Sequence, residues 1–148
     1  GRHSRLQGKL CASINQVTED AKIAYAFPEL RCSFGGRSIV PDVAIFQWEH
    51  IPFTPEGEVP DNFNIAPDWT IEILSPDQRP NKVLGNILHC LEHGSQLGWF
   101  VDPDDSSILY FLPKQQPVLC QADQRLPVFP NIELSLTVEQ IFGWLKMG

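Results

Sequence analysis

The chain has 148 residues, of which 43% are hydrophobic and 20% charged, as expected for an ordinary globular protein with a real hydrophobic core. Its formal net charge of -7 argues against a general nucleic-acid binder, which usually carries a basic surface. An enzyme that contacts phosphate through a bound metal ion is not excluded, because the ion supplies the missing positive charge.

No apolar run is long enough to cross a bilayer, and no signal peptide opens the chain. The cysteines have no CxxC spacing, so a zinc knuckle is not expected; they are Cys11, Cys32, Cys90 and Cys120. Reduced, buried thiols are the simplest interpretation. We therefore expect a cytoplasmic protein without a membrane partner.

The first part of the chain predicts a helix followed by strands. Residues 3–20 carry apolar residues at helical spacing, namely Leu6, Leu10, Ile14 and Val17. Residues 22–28 loosely alternate apolar and polar residues and end at a proline, which predicts a strand. The sequence FGGR at 34–37 indicates a turn. The run SIVPDVAIF at 38–46 predicts one strand that carries Asp42.

The middle of the chain predicts a loop, a strand and a helix. Residues 47–68 contain four prolines and few periodic apolar residues, which indicates a long loop with at most a short hairpin. The sequence WTIEIL at 69–74 predicts a strand with Glu72 inside it. A polar turn at 75–80 leads to a helix at 81–93, and Gly94 is expected at its C′ position.

The last part predicts a hairpin from residues 97–102 and 107–112, around the turn sequence PDDS. Weaker strands are predicted at 118–122 and 128–134. Thr137 and Gln140 form a capping-box pattern, which predicts a final helix at 137–145. Because no repeat, linker or low-complexity segment interrupts the sequence, we expect residues 1–148 to form one α/β domain.

Two acids stand alone in apolar strands. Glu72 shares a face of its strand with Thr70 and Leu74, and an unpaired charge buried there would be costly unless a cation compensated it. Asp42 follows Pro41, which suits an edge or the start of a strand, where an aspartate can point into a cleft. Taken singly, an Asp42 that caps a turn and a solvated Glu72 are the simpler interpretations.

Taken together, the two acids predict a metal site. Carboxylates on neighbouring strands can hold one hard cation such as Mg²⁺, which takes about six oxygens at roughly 2.1 Å. The carbonyl oxygen of Ile73 could supply another ligand. Such a cation polarises a phosphodiester and lowers the pKa of a water that can then act as nucleophile.

Between residues 41 and 103 the chain resembles the Uma-type restriction endonucleases of the PD-(D/E)XK nuclease superfamily. The matching segments are PD at 41–42, EILSP at 72–76, HG at 93–94 and GWFVDP at 98–103. The resemblance implies a restriction-endonuclease-like mixed β-sheet flanked by α-helices, with DNA as substrate and Mg²⁺ or Mn²⁺ as cofactor. It makes Asp42 and Glu72 the catalytic acids. It also implies that a short N-terminal segment of the family pattern is absent.

The chain departs from this family at the catalytic lysine. The superfamily position holds Leu74, and the Uma-type position, on the following helix, holds Asn86. Asn86 lies near the margin of the helix's apolar stripe, which consists of Val83, Leu84, Ile87, Leu88 and Leu91. Lys82, one turn earlier, could also reach the site, although helical phase favours solvent for Lys82, His89 and His93. Lys82 and Asn86 are therefore the residues expected to position the attacking water.

Three hypotheses remain open. The leading one is a metal-dependent endonuclease that hydrolyses DNA phosphodiester bonds, acting as a homodimer if it cuts both strands. The alternative, favoured by the missing lysine and the acidic charge, is a catalytically inactive nuclease fold that serves as an interaction or assembly module. In the third, Glu72 forms a buried structural ion pair with Arg79 or Lys82.

Overall fold

The computed structural model describes residues 1–147. Its helices are α1 (Arg2–Thr18), α2 (Pro80–Glu92) and α3 (Val138–Gly143). Its strands are β1 (Ala24–Pro28), β2 (Arg31–Phe34), β3 (Arg37–Ile39), β4 (Val43–Gln47), β5 (Asn62–Phe63), β6 (Trp69–Ile73), β7 (Leu97–Asp102), β8 (Ser107–Phe111) and β9 (Val118–Gln121). A short 3₁₀ helix spans Trp48–His50.

A six-stranded mixed sheet forms the centre of the molecule, in the order β1-β4-β6-β7-β8-β9. Only β6 and β7 pair in parallel within it, and α2 connects them. A second, three-stranded sheet has the order β3-β2-β5. The expected α/β architecture, a mixed sheet flanked by helices, is therefore confirmed.

Each face of the large sheet buries a different part of the chain. The α1 face collects the odd-numbered residues of the central strands, including Trp69, Ile71, Ile73 and Trp99, against Leu6, Leu10 and Ile14 of α1. The opposite face carries α2, whose Val83 and Ile87 pack on Phe100 and Phe111. The small sheet covers the same side at Ala44 and Phe46, through Cys32, Ile39 and Phe63.

The strand predicted at 38–46 is wrong in one respect that matters for the site. The segment forms two strands in different sheets, β3 and β4, separated by residues 40–42. Pro41 lies in the break between them. Because proline has no backbone N–H, it cannot donate a hydrogen bond to a neighbouring strand. Asp42 therefore stands immediately before β4 and outside the strand itself.

The strand predicted at 128–134 is also wrong, because this segment is irregular. Pro127 and Pro130 lack backbone donors, which disfavours a ladder there. The segment instead inserts Phe129 and Ile132 into the core on the α1 face, and the indole Nε1 of Trp99 donates to the Pro127 carbonyl at 3.1 Å.

Several local predictions are confirmed. The long loop at 47–68 contains only the 3₁₀ helix and β5, which pairs in parallel with β2 and forms no hairpin. Gly94 follows α2 with a φ of 109°. Thr137 and Gln140 form both hydrogen bonds of the capping box.

Among residues 1–147, none of the helices combines the length and apolarity that a membrane span requires.

Candidate active site

The pairing of β4 with β6 brings Asp42 and Glu72 together. The antiparallel register joins Val43 to Ile71, so Asp42 lies opposite Glu72 at the next position. The amide N of Asp42 donates to Oε1 of Glu72 at 3.2 Å, and the amide N of Ile73 donates to Oδ2 of Asp42 at 2.7 Å. Each acid is thus held by the backbone of the other strand, and we call the two residues the acid pair.

Glu72 points inward, on the α2 face of the sheet, and is 4% exposed. Burial and the neighbouring Asp42 carboxylate raise the pKa of Glu72 to about 8, although hydrogen bonds from the Asp42 backbone and the Asn86 side chain lower it. The structural ion pair of the third hypothesis, between Glu72 and Arg79 or Lys82, is not formed within the part of the chain that the structure describes. Glu72 consequently lacks a charged partner that would stabilise its ionised form.

Helix α1 supplies two further contacts to Asp42. The imidazole Nε2 of His3 lies 3.0 Å from Oδ1 of Asp42, and the side-chain amide of Gln7 donates to the Asp42 carbonyl at 2.8 Å. His3 and Gln7 lie four residues apart, so they share one face of the helix. The sequence alone does not determine these contacts, because nothing local fixes where the start of α1 packs.

Asn86 contacts the acid pair from the other side. Its side chain lies near enough to the Glu72 carboxylate to lower the pKa of that group, and its Oδ1 accepts from Nη2 of Arg37 at 2.8 Å. The amide NH₂ is the only donor of this side chain, so it is the group that can stabilise an ionised Glu72. Arg37 at the start of β3 therefore brings a guanidinium to Asn86, the residue that occupies the position of the family lysine.

The sequence did not identify Arg37 as part of the site, and it misplaced two residues of α2. Arg37 belongs to a hairpin of the small sheet, and no local pattern shows that this hairpin packs beside α2. His89 was expected in solvent but is buried, since its ring stacks on Phe34 with 4.6 Å between ring centroids. Leu88, expected in the apolar stripe, is 49% exposed. Lys82 and His93 are exposed, as expected.

A groove of about 600 Å³ opens beside Asn86. Its walls come from β3, the turn before α2 and α2 itself, and its charged residues are Arg37, Asp77, Arg79 and Lys82. Three cations and one acid make this surface locally positive although the whole chain carries -7. Lys82 lines the groove and makes no hydrogen bond or ion pair with Asp42 or Glu72.

The donor set of the acid pair suits a hard divalent cation. Both side chains offer carboxylate oxygens, which Mg²⁺ and Mn²⁺ prefer, and the Ile73 backbone lies within hydrogen-bond distance of Asp42. A buried carboxylate beside a second, partly exposed one is costly to ionise without a cation, which agrees with the raised pKa of Glu72. The residues present therefore fit the metal that the sequence predicts.

The architecture is that of a nuclease-like α/β protein, and similarity to known proteins agrees with it. The chain belongs to the Uma2 family, described as "Putative restriction endonuclease", whose family model matches residues 1–139. A crystal structure of a putative nuclease of family DUF820 from Anabaena variabilis matches with a TM-score of 0.96 and 47% sequence identity. The match covers 99% of this chain and 83% of that one. None of the functionally curated proteins is significantly similar to the chain.

Proposed function

We propose that this protein is a metal-dependent endonuclease that hydrolyses phosphodiester bonds in DNA, with residues 1–148 acting as one nuclease-like domain. The observation that carries the proposal is the convergence of Asp42 and Glu72 at the meeting point of β4 and β6, beside a groove with three cations. Membership of a restriction-endonuclease family supports DNA as the substrate. The fold alone would not, because one fold serves many functions.

In this proposal Asp42, Glu72 and the Ile73 carbonyl hold one Mg²⁺ or Mn²⁺ ion. When bound, the ion supplies charge that polarises the phosphodiester and lowers the pKa of a nearby water. The backbone N–H groups of Asp42 and Ile73 hold the two carboxylates in place. His3 holds the Asp42 carboxylate in position, since its Nε2 lies 3.0 Å from Oδ1.

Asn86 and Arg37 take the place of the family lysine. The Asn86 amide sits against Glu72 and can orient a water beside the scissile phosphate. Arg37, fixed by Asn86 at 2.8 Å, brings a guanidinium whose fork of N–H groups matches the oxygens of a phosphate. Lys82 and Arg79 line the same groove and bind the phosphate backbone on either side.

A catalytically inactive nuclease fold is the second candidate. It is favoured by one observation: in residues 1–147 no lysine hydrogen-bonds or pairs with either acid. Such a module would keep the sheet and the groove and would bind a partner without cleaving it. Arg37 weakens this alternative, because it provides a cation at the place where the lysine is lost.

The proposal also covers the setting of the enzyme. A single acid pair cuts one strand at a time, so a homodimer is proposed for cleavage of both strands. A cytoplasmic location is supported by the four cysteines, which are all buried and free within the described chain.

The test is plasmid cleavage in Mg²⁺ or Mn²⁺, combined with calorimetric titration of Mn²⁺. We expect the wild-type protein to nick or linearise the plasmid, and Asp42→Asn and Glu72→Gln to lose both cleavage and Mn²⁺ binding. Arg37→Ala should retain Mn²⁺ binding and lose roughly 10²-fold or more in rate, as is typical when one transition-state donor is removed.

Glu133→Gln is the matched control, because Glu133 is exposed and distant in sequence from the acid pair. It should cleave like the wild type. Saturable Mn²⁺ binding without cleavage under any condition would favour the inactive module. Cleavage that persists in Asp42→Asn would overturn the assignment of the acid pair.

A further inference from the structure

The C-terminal end of α2 carries a second group of metal-binding side chains, which the proposed nuclease does not use. His89, Glu92 and His93 each offer one ligand atom, and these atoms lie within 4.8 Å of one another. Their spacing of three and four residues places them on one side of the helix. We call these three residues the His–Glu–His cluster, and they lie one turn beyond Asn86.

Both imidazoles are oriented by backbone carbonyls. A ring nitrogen of His89, Nε2, lies 3.0 Å from the Phe34 carbonyl, and Nδ1 of His93 lies 2.9 Å from the His89 carbonyl. A carbonyl oxygen only accepts, so each of these nitrogens carries the proton. Each neutral ring therefore keeps one nitrogen with a free lone pair. Metal-binding histidines are usually held in this way, with the second ring nitrogen donating to a carbonyl or a carboxylate.

The turn between β2 and β3 approaches the two rings closely at Gly35. A Cβ added to Gly35 would lie 2.3 Å from Nε2 of His93 and 2.8 Å from Cε1 of His89. Any other residue would fill the space that borders these imidazoles, and the φ of 57° at Gly35 also favours glycine. The stacking of His89 on Phe34 fixes the buried ring against the same turn.

The composition of the cluster selects the metal. Two imidazoles and one carboxylate are a known set of three protein ligands for Zn²⁺. Their ligand atoms lie about 2.0–2.2 Å from the ion, and the fourth coordination position stays open to water or substrate. Ligand atoms of a tetrahedral site lie about 3.4 Å apart, so the observed separations need only side-chain adjustments. Glu92 is exposed and can move toward the two imidazoles, while His89 and His93 are held by their carbonyl partners.

We propose that the His–Glu–His cluster binds a Zn²⁺ ion, separately from the acid pair and its hard cation. The ion lies at the junction between α2 and the β2–β3 hairpin. Asn86 stands three residues before His89 on α2, and Arg37 stands three residues after Phe34 on the hairpin. Zinc at this junction stabilises the packing of the two elements that supply the Asn86–Arg37 contact.

In the experiment, metal-free protein is titrated with Zn²⁺ and, separately, with Mn²⁺, and binding is measured by calorimetry. The visible absorption spectrum of the protein with Co²⁺ reports the coordination geometry. We expect one Zn²⁺ per chain in the Asp42→Asn variant, which lacks the other metal site. His93→Ala should weaken this binding by more than about 100-fold, since loss of an outer partner alone costs 10–100-fold. Mn²⁺ binding should show the opposite pattern, retained in His93→Ala and lost in Asp42→Asn.

Two matched pairs control the experiment. His50→Ala removes another half-exposed imidazole, paired with Asp68 at 2.9 Å, and should leave Zn²⁺ affinity unchanged. Gly35→Ala should weaken Zn²⁺ binding more than Gly36→Ala does, because both glycines have positive φ but a Cβ at Gly36 meets nothing within 4 Å. Circular dichroism confirms that each variant folds.

Zinc affinity of the Asp42→Asn protein that stays unchanged when His93→Ala is added would overturn the proposal, as would no Zn²⁺ uptake by Asp42→Asn. Neither readout depends on DNA cleavage, so failure of the zinc site leaves the proposed nuclease standing. Failure of the nuclease likewise leaves the zinc site standing.

Discussion

Glu72 carries the most unusual chemistry of any residue in the chain. It is almost completely buried next to a second carboxylate, and it has hydrogen-bond donors but no cationic partner. The metal-free protein therefore keeps a proton on Glu72 at neutral pH, because the pKa of about 8 lies above that of an exposed glutamate. A bound divalent cation must displace that proton.

This buried proton predicts how stability depends on pH in the metal-free protein. With a folded pKa of about 8 and an unfolded value of 4.5, the folded state binds more protons between these two pH values. The free energy of unfolding therefore falls as pH rises from about 4.5 to 8, by roughly 3–5 kcal/mol in total. Glu72→Gln, which cannot ionise, should remove this contribution. Urea unfolding in EDTA at several pH values measures it.

The difference between wild type and variant isolates Glu72 from the other groups that titrate in this range. Glu133→Gln should leave the wild-type slope unchanged, because its side chain is exposed. A Glu72→Gln protein with the same pH slope as the wild type would show that Glu72 is ionised in the folded state and that the carboxylates are farther apart in solution than the structure indicates.

The sequence singled out the two acids because each stands alone in an apolar run, and this kind of anomaly is local. Arg37 could not be found in the same way. Its importance comes from a hydrogen bond to Asn86, which is 49 positions away in the chain. His89, Glu92 and His93 did have a local signal, the spacing of three and four residues, but helical phase alone suggested solvent and hid the contact with Phe34.

At the scale of elements, the position of α2 decides whether Asn86 reaches Glu72. The helix packs closely on β7 at Gly98, where an added Cβ would lie 2.7 Å from Cγ2 of Ile87. Glycine inside a strand often marks such a close approach. Since Ile87 directly follows Asn86, any displacement of the helix at this contact also moves the asparagine.

We expect Gly98→Ala to destabilise the protein by about 1–3 kcal/mol, because overpacking a closely fitted core forces side chains and backbone apart. It should also lower nuclease activity by moving Asn86 away from the acid pair. Thermal unfolding and the plasmid assay measure the two effects.

Gly85→Ala on the same helix is the matched control. A Cβ there meets nothing within 4 Å, and alanine is favoured over glycine in a helix by roughly 0.5–1 kcal/mol. Gly85→Ala should therefore raise the melting temperature while Gly98→Ala lowers it. Equal effects from the two substitutions would mean that α2 does not depend on the contact at Gly98.

Element boundaries were predictable where a cap or a turn residue sets them, as Gly94 does after α2 and Thr137 does before α3. The predictions were wrong where a proline lies in or beside an apolar run. Pro41 divides one predicted strand between two sheets, and residues 128–134 fill the core without pairing. Hydrophobic content indicates burial in both cases, but only backbone pairing distinguishes a strand from a buried irregular segment.

At the scale of the whole molecule, the net negative charge of the chain and the cationic groove have opposite effects on DNA binding. The chain carries a net charge of -7, yet Arg37, Arg79 and Lys82 line the surface next to the acid pair. Loss of the carboxylate charges to a bound cation would leave this surface clearly positive. Composition alone predicted that the chain as a whole repels nucleic acid. It could not predict the cationic groove, because Arg37 and α2 meet only in the folded protein.

This opposition predicts that DNA binding depends on a divalent cation. In EDTA at pH 8.5, where Glu72 is largely ionised, we expect weak affinity for a short duplex in fluorescence anisotropy. Ca²⁺, which prefers the same oxygen ligands as Mg²⁺, should raise the affinity at constant ionic strength, and the DNA is checked on a gel for cleavage. Asp42→Asn should bind DNA equally with and without Ca²⁺.

Arg79→Ala should bind DNA more weakly and lower the salt dependence of binding by about one unit, since each neutralised phosphate contributes about 0.9 to the slope. Equal wild-type affinity in EDTA and in Ca²⁺ would contradict the prediction and place the DNA-binding surface away from the acid pair.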